Sequence, residues 1–343
     1  MPSASVLMSV RNGGAYLRQA VDSILGQTFE DFEFIIIDNH STDHTSELLR
    51  SVPDPRIVLT RPASPESIAG ALNHGSRLVT TDLIARMDAD DIAHPRRLEV
   101  QMDFMRRQPD VGILGTQVRP INTAGEPISA EHFRKPETHA DISWRLFFGC
   151  PLWHPTVIMR KSLLDSLGWY GSDTIAGREA YSGEDYDLWC RAIRSTRIHN
   201  LPDTLLDYRI HEQSLSSVAD GRRNHCTNIV RIVEQHLKRE FKVEAGPGLV
   251  AAMLGLPQGD GPDTFGRATP EDVRRIIPLM LDHAAAMGTS AASTRELRRQ
   301  LAKLAETAIW GRGFNILRES LRLARVDTRT SLAVLSASFR RLI

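Results

Sequence analysis

Four short apolar runs alternate with helix-like spacing over the first 90 residues of this chain. Residues 5–10 read as a buried strand. In 15–25, Leu17, Val21, Ile24 and Leu25 recur at helical intervals. Residues 32–37 form a continuous apolar run of the kind that a parallel sheet covers on both faces. Ser41-Thr42-Asp43 reads as a helix N-cap leading into 46–50. A third strand at 56–59, a helix at 67–79 and a fourth strand at 82–87 complete the pattern. Repeated βα units predict an α/β fold with an open parallel sheet and right-handed crossovers. Such sheets bind ligands outside the carboxyl ends of their strands. Asp38 and the run Asp88-Ala89-Asp90-Asp91 fall there.

The pattern changes twice. Residues 138–211 mix strand and helix signals and carry two tryptophan-containing stretches, around Trp153 and Trp189. Beyond residue 220 the strand signals stop. Helices are expected at 222–241, 270–287, 293–310 and 328–342, with 244–269, rich in Gly and Pro, as a connecting loop. The expected division is 1–220, with halves at about 1–120 and 121–220, followed by an all-helical region over 221–343. A length of 343 residues accommodates two such parts.

Cys150, Cys190 and Cys226 are odd in number and lack any CxxC spacing, which argues against a disulfide framework or zinc site and for a reducing compartment. The N-terminus lacks the basic and apolar regions of a signal peptide, and no apolar run is long enough to span a bilayer. A cytoplasmic location is therefore expected. With 42 basic and 42 acidic residues, the chain lacks the basic excess that a nucleic-acid partner requires. That balance is a sum of unlike parts, because residues 295–343 hold 11 basic and 4 acidic side chains. The remainder is correspondingly acidic. The last segment also carries Leu332, Val334, Leu335, Phe339, Leu342 and Ile343. A basic amphipathic tail of this kind suits the anionic inner face of a plasma membrane. The favoured reading is nonetheless a helical subdomain whose arginines are solvated or paired, with membrane contact second and an oligomer interface last.

An isolated Asp-x-Asp is usually a solvated loop or a cap. At the end of the strand ending in Met87, Asp88 and Asp90 would repel each other unless a cation lay between them. Mg²⁺ and Mn²⁺ take oxygen ligands from one or two carboxylates and complete their shells with phosphate and water. A metal-bridged diphosphate suits such a pair.

Several motifs, in order, resemble those of the inverting nucleotide-sugar-dependent glycosyltransferases of family 2, which have the GT-A fold. They comprise residues 5–13, Gln27-Thr28-Phe29, residues 37–43, Ala71-Leu72-Asn73-His74-Gly75, and residues 85–91 followed by Pro95, Arg97 and Gln101. Further on come His154-Pro155-Thr156, residues 183–189 and Tyr208-Arg209-Ile210-His211. The resemblance spans 5–217.

The resemblance implies transfer of a sugar from a nucleoside-diphosphate sugar to an acceptor hydroxyl in one displacement. Such chemistry needs a divalent cation against the leaving diphosphate and a carboxylate base for the acceptor proton. By position, Asp88 and Asp90 match the metal and diphosphate motif, and His211 matches a position beside them. Asp185 matches the base, with Glu184 next to it orienting the acceptor or its loop. These acids would also suit a helix N-terminus, and one position can serve both roles. Ser9, Arg11, Asp38, Asn39 and Asn73 match donor-contacting positions, and His154 and Trp189 acceptor-facing ones.

Two departures stand out. Ser9-Val10-Arg11 replaces the family's Pro-x-Tyr, and Asp38-Asn39-His40 replaces Asp-Asp-Gly. Asn39 can accept the uracil N3–H through its amide oxygen but can also donate, so a UDP-sugar is favoured without being fixed. A glycan or lipid-linked acceptor of a bacterial surface polysaccharide is the expected partner. Transfer to a polyprenyl phosphate, which needs no base, and an inactive sugar-binding module stay open as alternatives.

Overall fold

A computed structural model describes residues 2–129, 133–171, 183–212, 219–257 and 264–308. They form two units. One comprises Met1–Glu137 and Leu152–His225, the other Thr138–Pro151 and the chain from Cys226 on. The division is not a single cut, since 138–151 leaves the first unit and returns.

The first unit opens with β1 (Ala4–Val10), α1 (Leu17–Leu25), β2 (Phe32–Asp38), α2 (Thr45–Arg50), β3 (Ile57–Thr60), α3 (Ile68–Ser76) and β4 (Leu83–Met87). Then follow β5 (Ile92–Ala93), α4 (Arg97–Arg107) and the long β6 (Val111–Ile121). Beyond α5 (His139–Arg145), which belongs to the other unit, come β7 (Ile158–Arg160), α6 (Lys161–Leu167), α7 (Glu184–Ala192) and β8 (Arg197–Arg209).

The eight strands of the described residues join one sheet in the order β3-β2-β1-β4-β7-β6-β8-β5. The first four are parallel, as the βα repeat requires. β7 runs antiparallel to both β4 and β6, β8 runs parallel to β6, and β5 pairs antiparallel with β8.

Strand alternation sorts the core. Val6, Met8, Phe34, Ile36, Ala85 and Met87 pack with Leu17, Val21, Ile24, Leu98 and Met102 of α1 and α4. Leu7 and Ile37 point the other way, and Gly75 of α3 lies so close that an added Cβ would sit 2.6 Å from Ile37 and 2.8 Å from Leu7. Each fully buried apolar side chain contributes about 1.5–3 kcal/mol. Burial on both faces explains why these strands read as unbroken apolar runs.

The second unit holds α5, α8 (Ala219–Phe241) from Cys226 on, α9 (Pro247–Leu254), α10 (Pro270–Met287) and α11 (Ala291–Ala308). α9 forms within the stretch whose Gly and Pro content predicts a loop. Those residues punctuate a helix instead: Gly246 is its N-cap, Pro247 starts it, and Gly255 ends it in the left-handed conformation. Thr269 and Asp272 form a capping box at the start of α10. Phe147 stacks on His236 at 4.5 Å, and Ser143 hydrogen-bonds His283 at 2.8 Å. Among the described residues, no helix is long and apolar enough to cross a membrane. The expected helix at 328–342 lies outside the described residues.

Candidate active site

The carboxyl edge of β1, β2 and β4 brings Val10, Asp38 and Met87 to one rim of the sheet. The chain leaving β4 folds Asp88, Asp90 and Asp91 together, so that one oxygen from each lies within 4.8 Å of the others. Burial raises the Asp88 carboxyl above its ordinary value, against the pull of Arg86, and Asp90 adds to the rise. Asp91 is raised further, by burial and by its two acidic neighbours. Its Oδ1 accepts the Arg209 N–H at 2.8 Å, while its buried Oδ2 has no hydrogen-bond partner among the described residues. Three converging carboxylates with a buried, unmatched oxygen fit a hard divalent cation, whose charge would relieve the repulsion.

His211 lies just beyond β8, with Nε2 2.9 Å from Asp90 Oδ2. Its ring meets Tyr16 at 5.1 Å between centroids, and the Arg209 guanidinium lies 4.5 Å over the same tyrosine. Arg209 is buried and donates to Asp90 O at 2.8 Å and to Gln19 of α1 at 2.9 Å, which ties the start of α1 to the acidic cluster.

Glu184 and Asp185 begin α7 behind Gly183, whose φ of 98° favours glycine. Acids in the first turn suit the positive end of the helix dipole. Asp185 is half-buried, accepts the Tyr186 N–H at 2.7 Å, and its charge acts on Asp88 across the site. Glu184 is buried. Burial, reinforced by Asp185, pushes its carboxyl up to about 8. His154 lies 3.7 Å from Glu184 and bonds the Tyr170 hydroxyl at 2.8 Å. Burial, then the Arg86 charge, holds its pKa well below the ordinary imidazole range.

The raised Glu184 value sets a pH dependence. The folded protein holds this proton up to about pH 8, whereas the unfolded chain releases it near 4.5. Its contribution to stability is therefore full below the lower value and is lost as pH rises through the upper one. Glu184→Gln removes that loss. The metal-free variant should show a shallower fall in melting temperature between about pH 5 and 8. A variant that parallels the wild type across this window contradicts the assignment.

Other expected donor contacts have internal duties. Burial works to raise Asp38, but hydrogen bonds from Ser46 and Ser41 and the charge of Arg61 hold it below its ordinary value. The Asn39 amide donates to Glu66 O at 2.8 Å and accepts from Glu66 N at 3.0 Å, so the buried side chain clamps the loop at Glu66. Asn73 likewise brackets the Tyr170 backbone, donating at 2.8 Å and accepting at 3.2 Å. Ser9 is half-buried and Arg11 exposed at the end of β1. Trp189, expected to face an acceptor, is fully buried with its ring 6.0 Å from His154, so it packs beneath the site.

The structure adds groups to which the motifs assigned no separate role, namely Asp91, Tyr16, Tyr170 and the buried cation Arg86. The last had a visible sign, an arginine inside the wholly buried strand Leu83–Met87.

The family model for glycosyl transferase family 2 matches residues 5–168. The Escherichia coli O-antigen biosynthesis glycosyltransferase WbnJ is 35% identical over 227 residues, covering 63% of this chain and 82% of WbnJ. The chain belongs to glycosyl transferase family 2. It is also 31% identical to the putative glycosyltransferase EpsE of Bacillus subtilis, over 62% of this chain and 74% of EpsE. Family 2 members are glycosyltransferases, and so is this enzyme. Staphylococcus aureus TarS 1-349 in complex with UDP-GlcNAc has a similar fold, with a TM-score of 0.57 at 16% identity, covering 99% of this chain and 92% of TarS 1-349. The mannosyltransferase PcManGT of Pyrobaculum calidifontis, in complex with GDP-Man and Mn²⁺, aligns with a TM-score of 0.54 at 18% identity, covering 99% and 86%. The fold is of the GT-A type, a curled mixed sheet flanked by helices, with a helical C-terminal region.

Proposed function

We propose that this family 2 enzyme inverts configuration as it moves a sugar from a nucleoside-diphosphate sugar to an acceptor hydroxyl, with Asp185 as general base. One observation carries the reading: an acidic cluster at the sheet's ligand-binding edge lies within electrostatic reach of a second carboxylate, Asp185, at the start of α7. In the displacement, the acceptor oxygen attacks the anomeric carbon while Asp185 takes its proton and the bond to the diphosphate breaks. Asp88, Asp90 and Asp91 would hold a divalent ion, and His211 steadies Asp90. Mg²⁺ or Mn²⁺ there would supply charge stabilisation for the leaving diphosphate.

Ser9 and Arg11 line the donor path, while Asp38, Asn39 and Asn73 act by shaping its turns. Glu184 and His154 form the acceptor-side wall. A UDP-sugar is favoured, in keeping with the UDP-GlcNAc complex of TarS, and a surface polysaccharide or lipid-linked glycan is the acceptor class, in keeping with the O-antigen role in WbnJ's name.

A thermal-shift panel of nucleoside diphosphates with and without Mn²⁺ tests the donor half. Ligand at about 100 times its Kd stabilises by roughly 2.7 kcal/mol, so a nucleotide that raises the melting point only with Mn²⁺ identifies the donor class. A panel without response, with or without the ion, sinks the reading.

The basic tail falls mostly outside the described residues. We propose peripheral contact with an anionic membrane through it. The full chain should co-sediment with anionic vesicles at low salt and release as salt screens the charges. Failure to pellet at low salt ends the proposal.

A further inference from the structure

Arg86 lies in a strand every residue of which is buried, with 1% of its side chain exposed. Alternation along β4 sends Ala85 and Met87 into the core against α1 and α4, so Arg86 points to the opposite face. A buried guanidinium is costly unless it is paired and its donors are matched. Nη2 donates to Asp88 Oδ1 at 2.5 Å and Nη1 to the Met87 carbonyl, while Nε has no hydrogen-bond partner among the described residues. Arg97, also buried, braces the strand from below by donating to the Arg86 carbonyl at 2.6 Å. An apolar residue would fill this place without these demands, so the cation calls for an account. Its charge also acts on Glu184, Tyr170 and His154, the groups of the acceptor-side wall.

We propose that Arg86 is a positioning residue that fixes the Asp88 carboxylate for the metal. Burial without access to solvent keeps Arg86 from touching substrate, so its effect passes through that carboxylate. This hold depends on the acidic cluster being a metal site and not on the glycosyl-transfer reading. Outer partners of metal ligands are typically worth about 10–100-fold in metal affinity.

The test compares full-length wild type, Arg86→Met and Arg86→Lys. The first measurement is Mn²⁺ affinity, from the paramagnetic resonance signal of free Mn²⁺ alone and with UDP. Arg86→Met should bind Mn²⁺ about tenfold more weakly or worse, and Arg86→Lys should recover part of the loss. A purely structural role would lower the melting point and leave the affinity of the folded protein unchanged. Folded variants within about twofold of wild type therefore overturn the proposal. Where Arg86→Met does not fold, Arg86→Lys decides alone, since lysine keeps the charge but loses the planar fork.

The second measurement is nucleotide-sugar binding and Mn²⁺-dependent hydrolysis by the wild type. A wild type that binds Mn²⁺ yet neither binds nor hydrolyses any nucleotide sugar refutes the glycosyl-transfer reading, and Mn²⁺ affinity still decides the role of Arg86. A wild type that binds no Mn²⁺ overturns the proposal.

Discussion

Asp185→Asn is expected to lower kcat by about 10²–10⁴-fold, the usual worth of a positioned general base, while donor affinity stays within about twofold. The two side chains have the same shape, and losing a first-turn charge costs a helix only about 0.3–1 kcal/mol, so α7 should keep its start behind Gly183. The Tyr186 N–H that Asp185 accepts can pass to the amide oxygen. What disappears is the negative charge and the ability to take a proton. The comparison also separates acceptor classes. A polyprenyl phosphate is already an anion and needs no base, so near-normal turnover in Asp185→Asn would point to a phosphate acceptor. Loss of donor binding together with turnover would instead place Asp185 in the donor half.

Asp90→Asn is expected to abolish Mn²⁺-dependent stabilisation by nucleotide and to lower kcat/KM on the order of 10³-fold, the scale of losing charge stabilisation from a developing anion. Removing one charge also relieves Asp88 and Asp91, both raised in part by Asp90. The variant should therefore fold as well as wild type, or better, without metal. That combination, a stabler apo-protein with a dead donor site, distinguishes a functional cluster from a structural one. A variant that loses fold and activity together, or keeps metal-dependent nucleotide binding, contradicts the assignment.

The parallel half of the fold was legible because burial on both faces makes each strand a continuous apolar run. β7 and β5 span only three and two residues, too short for any period to show. α9 was hidden by Gly246, Pro247 and Gly255, residues that serve helix ends as readily as loops.

The acidic cluster and the acids at the start of α7 were legible because charge at a strand or helix end has few cheap explanations. The backbone clamps of Asn39 and Asn73 were not, since an amide that faces a ligand and one that holds a backbone look alike in sequence. Trp189 misled for a related reason. Beside the Glu184-Asp185 pair it reads as a sugar-facing ring, but the helical turn directs it inward to 0% exposure.

The central claim is a single displacement at the anomeric carbon. Proton magnetic resonance of the free sugar first released from an α-linked nucleotide sugar by slow Mn²⁺-dependent hydrolysis tests it most directly. The account predicts that the β-anomer forms first and mutarotates afterwards. An initial α-anomer would contradict it.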